Sequence, residues 1–159
     1  AVASNRKRVE LAAGNPDTIS SKMAAAYAAH GNGEVFSFEI PETAPRAGAR
    51  FTGKVYLLIN RHSYSNTVQV AALAQDYGFA TIVGEETSDL ATTFGAMEQF
   101  VLTRTGIEVG FPKAHIIRVN GDLHARGVVP DLAIETPVVE PVEDVVLQRA
   151  LAIAAHGKP

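Results

Sequence analysis

The sequence predicts a mixed α/β fold built round a right-handed βαβ unit, and two observations carry that expectation. Residues 55–60 and 80–83 are short apolar runs of the length and all-round apolarity of strands buried on both faces. Between them, residues 65–77 place Val70, Leu73, Ala74 and Tyr77 at helical spacing, and Val68, Ala71 and Ala72 widen that apolar face. A strand, a crossover helix and a second strand make a parallel pair of fixed hand. The 159 residues, 47% of them hydrophobic, suffice for one domain with a real core.

The remaining elements follow in order. Asn15-Pro16 reads as an N-cap with proline at the first helical position, opening a helix through Met23 and Tyr27 that stops at Gly31. Residues 35–40 alternate, and the Pro- and Gly-bearing stretch 41–48 reads as a surface loop. After the βαβ unit, with Gly78 as the stop of its helix and Gly84 ending its second strand, the pattern changes to hairpins. Residues 99–103 and 107–111 flank Thr105-Gly106, and residues 116–119 lead into the turn Asn120-Gly121. Residues 132–134 read as a last short strand. Pro141 opens a final helix through Val145, Val146, Leu151 and Ile153, ending at Gly157. His30 and His156 fall at the ends of the first and last helices, where the negative end of the helix dipole suits them.

Composition narrows the function classes. The formal net charge of −3 lacks the basic stripe of a polyanion binder, and Arg6-Lys7-Arg8 reads as a solvated helix face, so no nucleic-acid partner is expected. No apolar run approaches the roughly 20 residues that span a bilayer. No charged-then-apolar leader opens the chain, which does not fix the compartment. With no cysteine there is no disulfide, thiol nucleophile or cysteine metal site, and no His/Asp/Glu spacing suggests a metal or cofactor.

The junction from residue 60 to residue 67, Asn-Arg-His-Ser-Tyr-Ser-Asn-Thr, is the most informative segment. A buried strand ends there and a serine-bearing turn opens a helix, where backbone N–H groups are unpaired and the dipole is positive. Such donors can hold the oxyanion formed when a hydroxyl attacks a carbonyl. The plainer alternative for Ser65 is that it caps the helix.

Several landmarks surround this junction in a fixed order. The strand ending in Asn60 leads to Ser63-Tyr64-Ser65, the helix closes with Gln75-Asp76-Tyr77-Gly78, and the second strand ends in Gly84-Glu85-Glu86-Thr87. Asn120-Gly121 and Gly127-Val128-Val129-Pro130-Asp131 come later, and Glu143-Asp144 precedes Leu147 and Ala150-Leu151. Over roughly residues 51–155 this order resembles the C-terminal-processing, or tail-specific, serine peptidases, and more distantly the tricorn core protease. The resemblance implies that Ser65 is the nucleophile of a peptidase acting on a peptide or protein. It also implies that the Asn66 backbone N–H is an oxyanion donor and that the fold is a crotonase-like βαβ core with added hairpins, incomplete in this chain. Residues 1–50 would then be a helix and linker of the same domain, and residues 51–159 the C-terminal part of the catalytic domain. The family resemblance favours a periplasmic or secreted location over a cytoplasmic one.

Two departures bear on mechanism. Many members of the family use a Ser-Lys dyad, and the matching lysine position is Leu90, which cannot accept a proton. The family's upstream Gly-Gly turn and its peptide-binding PDZ module have no match in residues 1–50, so the rest of the catalytic domain and a PDZ module are expected upstream, with the base outside this chain. The tricorn-like branch uses an upstream histidine and a carboxylate before Gly-Val-x-Pro-Asp; the comparable position is near His124, and the nearest carboxylate is Asp122. His124 is thus a candidate base or orienting residue, or a loop side chain, and Asp122 is equally a turn residue. His62 lies on the same tight turn as Ser65, while Lys113 and His115 have no motif support and are expected to be solvated. With Leu90 in place of lysine, a non-catalytic module binding a peptide or hydrophobic ligand stands as the alternative function.

Overall fold

The computed structural model describes residues 19–40, 44, 45, 47–137, 139 and 143–156. The chain divides into two compact units, Ala1–Arg50 and Phe51–Pro159.

In the first unit, helix α1 spans Ile19–Ala29. His30 closes it: Nδ1 lies 2.8 Å from the Ala26 carbonyl, and the ring stacks on Phe36 at 4.1 Å. Tyr27 meets Phe36 edge-on. The helix was expected to begin at Asn15-Pro16, which lies outside the described residues. The alternating stretch 35–40 takes no regular structure, and Val35 is 98% exposed. Alternation without a partner strand leaves the ladder hydrogen bonds unmade.

The second unit contains the expected βαβ. Strands β1, Tyr56–Ile59, and β2, Thr81–Gly84, pair in parallel with Ile59 opposite Gly84. Helix α2, Asn66–Asp76, connects them. Between β2 and the third strand of this sheet lies an antiparallel ribbon of β3, Thr93–Val101, and β4, Glu108–Ile116. Strand β5, Leu132–Ala133, then extends the parallel sheet to the order β1-β2-β5. Helix α3, Val145–His156, follows. Its first turn is capped by Asp144, whose Oδ1 accepts the Leu147 N–H at 2.9 Å. The expected opening at Pro141 and stop at Gly157 lie outside the described residues.

The strand period of two sorts the core into two layers. Ile59 and Ile82, with Leu57 packed alongside, join Val68, Ala71, Ala72 and Ala74 of α2, together with Ala91 and Val128. Val83, with Tyr56, Leu58, Leu132 and Ile134 packed alongside, joins Val146 and Ala150 of α3. The sheet is therefore covered by a helix on each face. One expectation is corrected in detail. Of Val70, Leu73, Ala74 and Tyr77, only Ala74 is buried; Val70 and Tyr77 are more than half exposed. The small residues of α2 face the sheet and let the helix approach closely, so the larger ones are left outside.

The ribbon is longer than the sequence suggested, beginning at Thr93 and continuing through Pro112 to Ile116. A two-stranded ribbon has an open side to each strand, so a proline lacking its N–H is tolerated there. The turn at residues 102–107 is as expected, with Gly106 at φ 71 and its N–H donating to the Leu102 carbonyl at 2.8 Å. Two side chains expected to be solvated have partners: Lys113 pairs with Glu98 at 2.9 Å, and His115 stacks on Phe94 at 4.7 Å. Both contacts lie across the ribbon, where paired strands bring side chains together. Among the described residues, no helix is long and apolar enough to cross a membrane, and no group of His, Asp or Glu could hold a metal ion.

Candidate active site

Two turns leave the carboxyl ends of adjacent parallel strands, and Ser65 stands on the first. The segment from β1 to α2 is tightly wound. Ser63 N–H donates to the Asn60 carbonyl at 2.9 Å, Asn60 N–H donates to Ser63 Oγ at 3.1 Å, and His62 N–H donates to Asn60 Oδ1 at 2.9 Å. This folds the strand end back on itself and leaves Ser65 exposed at the start of the helix. His62 is exposed on the same turn.

The backbone of Ser65 is strained, with φ 55 and ψ −123. A non-glycine residue held there costs of order 1–3 kcal/mol and persists only where its surroundings over-determine it. Its side chain makes no capping hydrogen bond to the helix, so the simple capping role does not account for the residue. Its carbonyl is used instead, accepting the Val68 and Gln69 N–H groups at 2.9 and 3.2 Å. Among the described residues no hydrogen bond engages the Asn66 N–H, in keeping with its place in the first turn of α2.

The second turn, residues 85–90 after β2, grips the first at three points. Glu85 pairs with Arg61 through Nε and Nη2 at 3.0 and 2.8 Å, and Arg61 also reaches the Thr136 carbonyl at 2.9 Å. Ser88 Oγ donates to the Arg61 carbonyl at 2.5 Å. Asp89 Oδ2 accepts the Ser65 N–H at 2.6 Å. The Arg61 guanidinium, followed by the Thr136 N–H, holds the Glu85 carboxyl down at about 2. Gly84 makes the approach of the two turns possible: with φ 126, it would bring a Cβ within 2.0 Å of the Ile59 carbonyl oxygen.

The Gly-Val-Val-Pro-Asp segment supports this arrangement from behind. A Cβ on Gly127 would lie 1.9 Å from the Thr87 carbonyl oxygen. Val128 is fully buried, and its N–H donates to Thr87 Oγ1 at 2.9 Å. Asp131 accepts the Ile82 N–H at 2.7 Å and the Gln75 amide at 2.7 Å, tying sheet to helix. Asp76 likewise receives a bidentate Arg118, with Nε at 2.9 Å and Nη2 at 2.7 Å, and both side chains are nearly buried.

Of the sequence candidates, Ser65 and Asn66 share one turn. His124 is elsewhere bound: its Nδ1 lies 2.5 Å from Asp122 Oδ1, its ring is 88% exposed, and among the described residues no hydrogen bond joins it to Ser65. The His124 N–H, then its ring, lower the Asp122 carboxyl below its ordinary range. Asn120 and Asp122 form the expected turn, with Gly121 at φ 81. Sequence reading passed over Asp89; its only signal was its place beside Leu90, where a proton acceptor was sought.

The sequence pattern of peptidase family S41 matches residues 6–134. The chain belongs to this family. Family S41, the C-terminal-processing peptidases, comprises serine peptidases. The S41 match starts well upstream of residue 51 and stops short of α3, so the segment before residue 51 contributes to the likeness and the last helix does not. No curated protein matches the chain. Solved structures similar to it include that of mature CPAF, at 25% identity and a TM-score of 0.43, covering 50% of this chain and 15% of that one. This S41 chain thus corresponds to a small part of that protein's length.

Proposed function

We propose that this chain carries the nucleophile of a serine peptidase, and that the nucleophile is Ser65. One observation carries the reading: an exposed serine in a strained turn between a buried parallel strand and a helix, with its hydroxyl not engaged in capping. Strain of this kind at a strand-to-helix turn projects a hydroxyl clear of the sheet and over unpaired helix N–H groups. Ser65 Oγ attacks the scissile carbonyl carbon while its proton passes to a base. The negative oxygen that results faces the Asn66 N–H, since the Ser65 N–H is already held by Asp89. Collapse expels the amine, which takes the proton from the base, and leaves an acyl group on Ser65 for water to remove.

The base belongs to a segment outside this chain. Leu90 cannot serve, which favours a serine–histidine arrangement of the tricorn-core type over a serine–lysine dyad. Within the chain, His124 beside Asp122 is the residue that would take the role of base or orienting group if no outside segment supplied it. On this reading the βαβ layer is a crotonase-like core, the chain is the C-terminal part of a catalytic domain, and a PDZ module and the rest of that domain lie upstream. The substrate is a peptide or protein.

A fluorophosphonate probe applied to the intact protein tests this. Stoichiometric labelling at Ser65, lost in Ser65→Ala, is the expected result. Absence of labelling in the intact, folded protein would favour a non-catalytic module that binds a peptide or hydrophobic ligand.

A further inference from the structure

The geometry points to Asp89 as the positioning residue that holds Ser65 in its reactive conformation, an inference that rests on Ser65 being the nucleophile. The strained turn needs an external restraint, because its other hydrogen bonds are local and would survive a change at Ser65. Asn60 with Ser63 and His62, and Tyr64 with Thr67, all close within four residues. Among the described residues, two bonds reach the backbone of residues 61–65 from a distant part of the chain: Ser88 Oγ to the Arg61 carbonyl, and Asp89 to the Ser65 N–H. Only the second acts on the residue whose φ is 55.

The bond is built to be strong. It joins an N–H to a carboxylate at 2.6 Å, a charge-assisted pairing. The second carboxylate oxygen is engaged as well, accepting the Leu90 N–H at 2.9 Å, so the plane of the group is fixed. The backbone of Asp89 is anchored in turn. Its carbonyl accepts Thr87 Oγ1 at 2.8 Å, and Thr87 Oγ1 accepts the buried Val128 N–H at 2.9 Å. A continuous line of hydrogen bonds therefore runs from the core at Val128, through Thr87 and Asp89, to Ser65. Occupation of the Ser65 N–H has a second effect. It removes that amide as a competitor for the oxyanion and leaves the role to Asn66.

The test compares Asp89→Ala and Asp89→Asn with the unsubstituted intact protein by two readouts, at a temperature where all three are folded. The first is hydrogen exchange at the Ser65 amide, followed by NMR. The second is the rate of Ser65 modification by a fluorophosphonate. Asp89→Ala is expected to speed Ser65 exchange and to slow modification by about tenfold to a hundredfold, since a displacement near 1 Å can cost about a hundredfold. Asp89→Asn is expected to fall between, because its single carbonyl oxygen can serve one of the two N–H donors but not both. Unchanged exchange and unchanged modification in Asp89→Ala would overturn the inference, as would a fall in modification with Ser65 exchange unaltered. If the unsubstituted protein is not modified at all, the nucleophile reading fails, and Ser65 exchange alone decides whether Asp89 restrains the turn.

Discussion

Ser65 combines two properties that pull in opposite directions. Its backbone sits where glycine would be comfortable, yet the residue carries a side chain. Substitution separates them. Ser65→Ala keeps the strain and removes the hydroxyl; with no capping bond to lose, its melting temperature is expected to stay close to the parent's while labelling disappears. Ser65→Gly also loses labelling, but relieves a conformation costing about 1–3 kcal/mol, less the roughly 0.5–1 kcal/mol of extra freedom glycine gains when unfolded. It is therefore expected to melt above Ser65→Ala in thermal denaturation, the mark of stability exchanged for function at a strained site. Glu85 offers a second measurement at this scale. Its folded value is depressed to about 2 from an ordinary 4.5, so its contribution is present in full above about 4.5 and disappears as pH falls through about 2. Glu85→Gln lacks this titration. The gap in melting temperature between parent and variant is expected to be widest above about pH 4.5 and to close toward about pH 2. Because Arg61 is 46% exposed, solvent screens the pair and the gap is expected to be small. A gap independent of pH would mean that the pair contributes through packing.

Among the elements, the strands were more legible than the helix faces. Apolar runs 55–60 and 80–83 correspond to β1 and β2 within a residue at their ends, because a strand buried on both faces must be apolar throughout. The face of α2 was harder to read: alanines define it, and their small apolar surface is outweighed on paper by Val70, Leu73 and Tyr77. The extent of the β3–β4 ribbon was hidden by Pro112, which argues against a strand unless the strand has an open side. The Gly-Val-Val-Pro-Asp landmark was visible as a motif, but its physical meaning needed the structure. Gly127 is there because the backbone of Thr87 passes too close for a Cβ. Gly127→Ala is therefore expected to destabilise by about 1–3 kcal/mol, as overpacking does. Because Thr87 anchors Asp89, the same change is expected to slow Ser65 modification, measured where the variant remains folded. Destabilisation with an unaltered modification rate would show that Gly127 supports the core without supporting the turn.

At the scale of the whole molecule, the proposed chemistry needs more groups than the described residues bring together. The sequence made Ser65 legible because strand, serine turn and helix are contiguous, and contiguous patterns can be read from one chain. On the proposed reading the base comes from a segment distant in sequence, and no local period announces it. Asp89 shows the same difficulty on a smaller span, since nothing in its neighbours foretells a bond to a residue on another turn. His124 is paired with Asp122 and has no hydrogen bond to Ser65 among the described residues. Nucleophile, base and oxyanion donors act as a unit, and losing one costs orders of magnitude in rate. The isolated chain is therefore expected to show little or no peptide cleavage, even where circular dichroism and a cooperative melt show it to be folded. Adding the upstream segment should restore cleavage, and the restored activity should vanish again in Ser65→Ala. Strong Ser65-dependent cleavage by the isolated chain would refute the assignment of the base to another segment. His124 would then be the residue to replace first, because its imidazole is already paired with a carboxylate side chain.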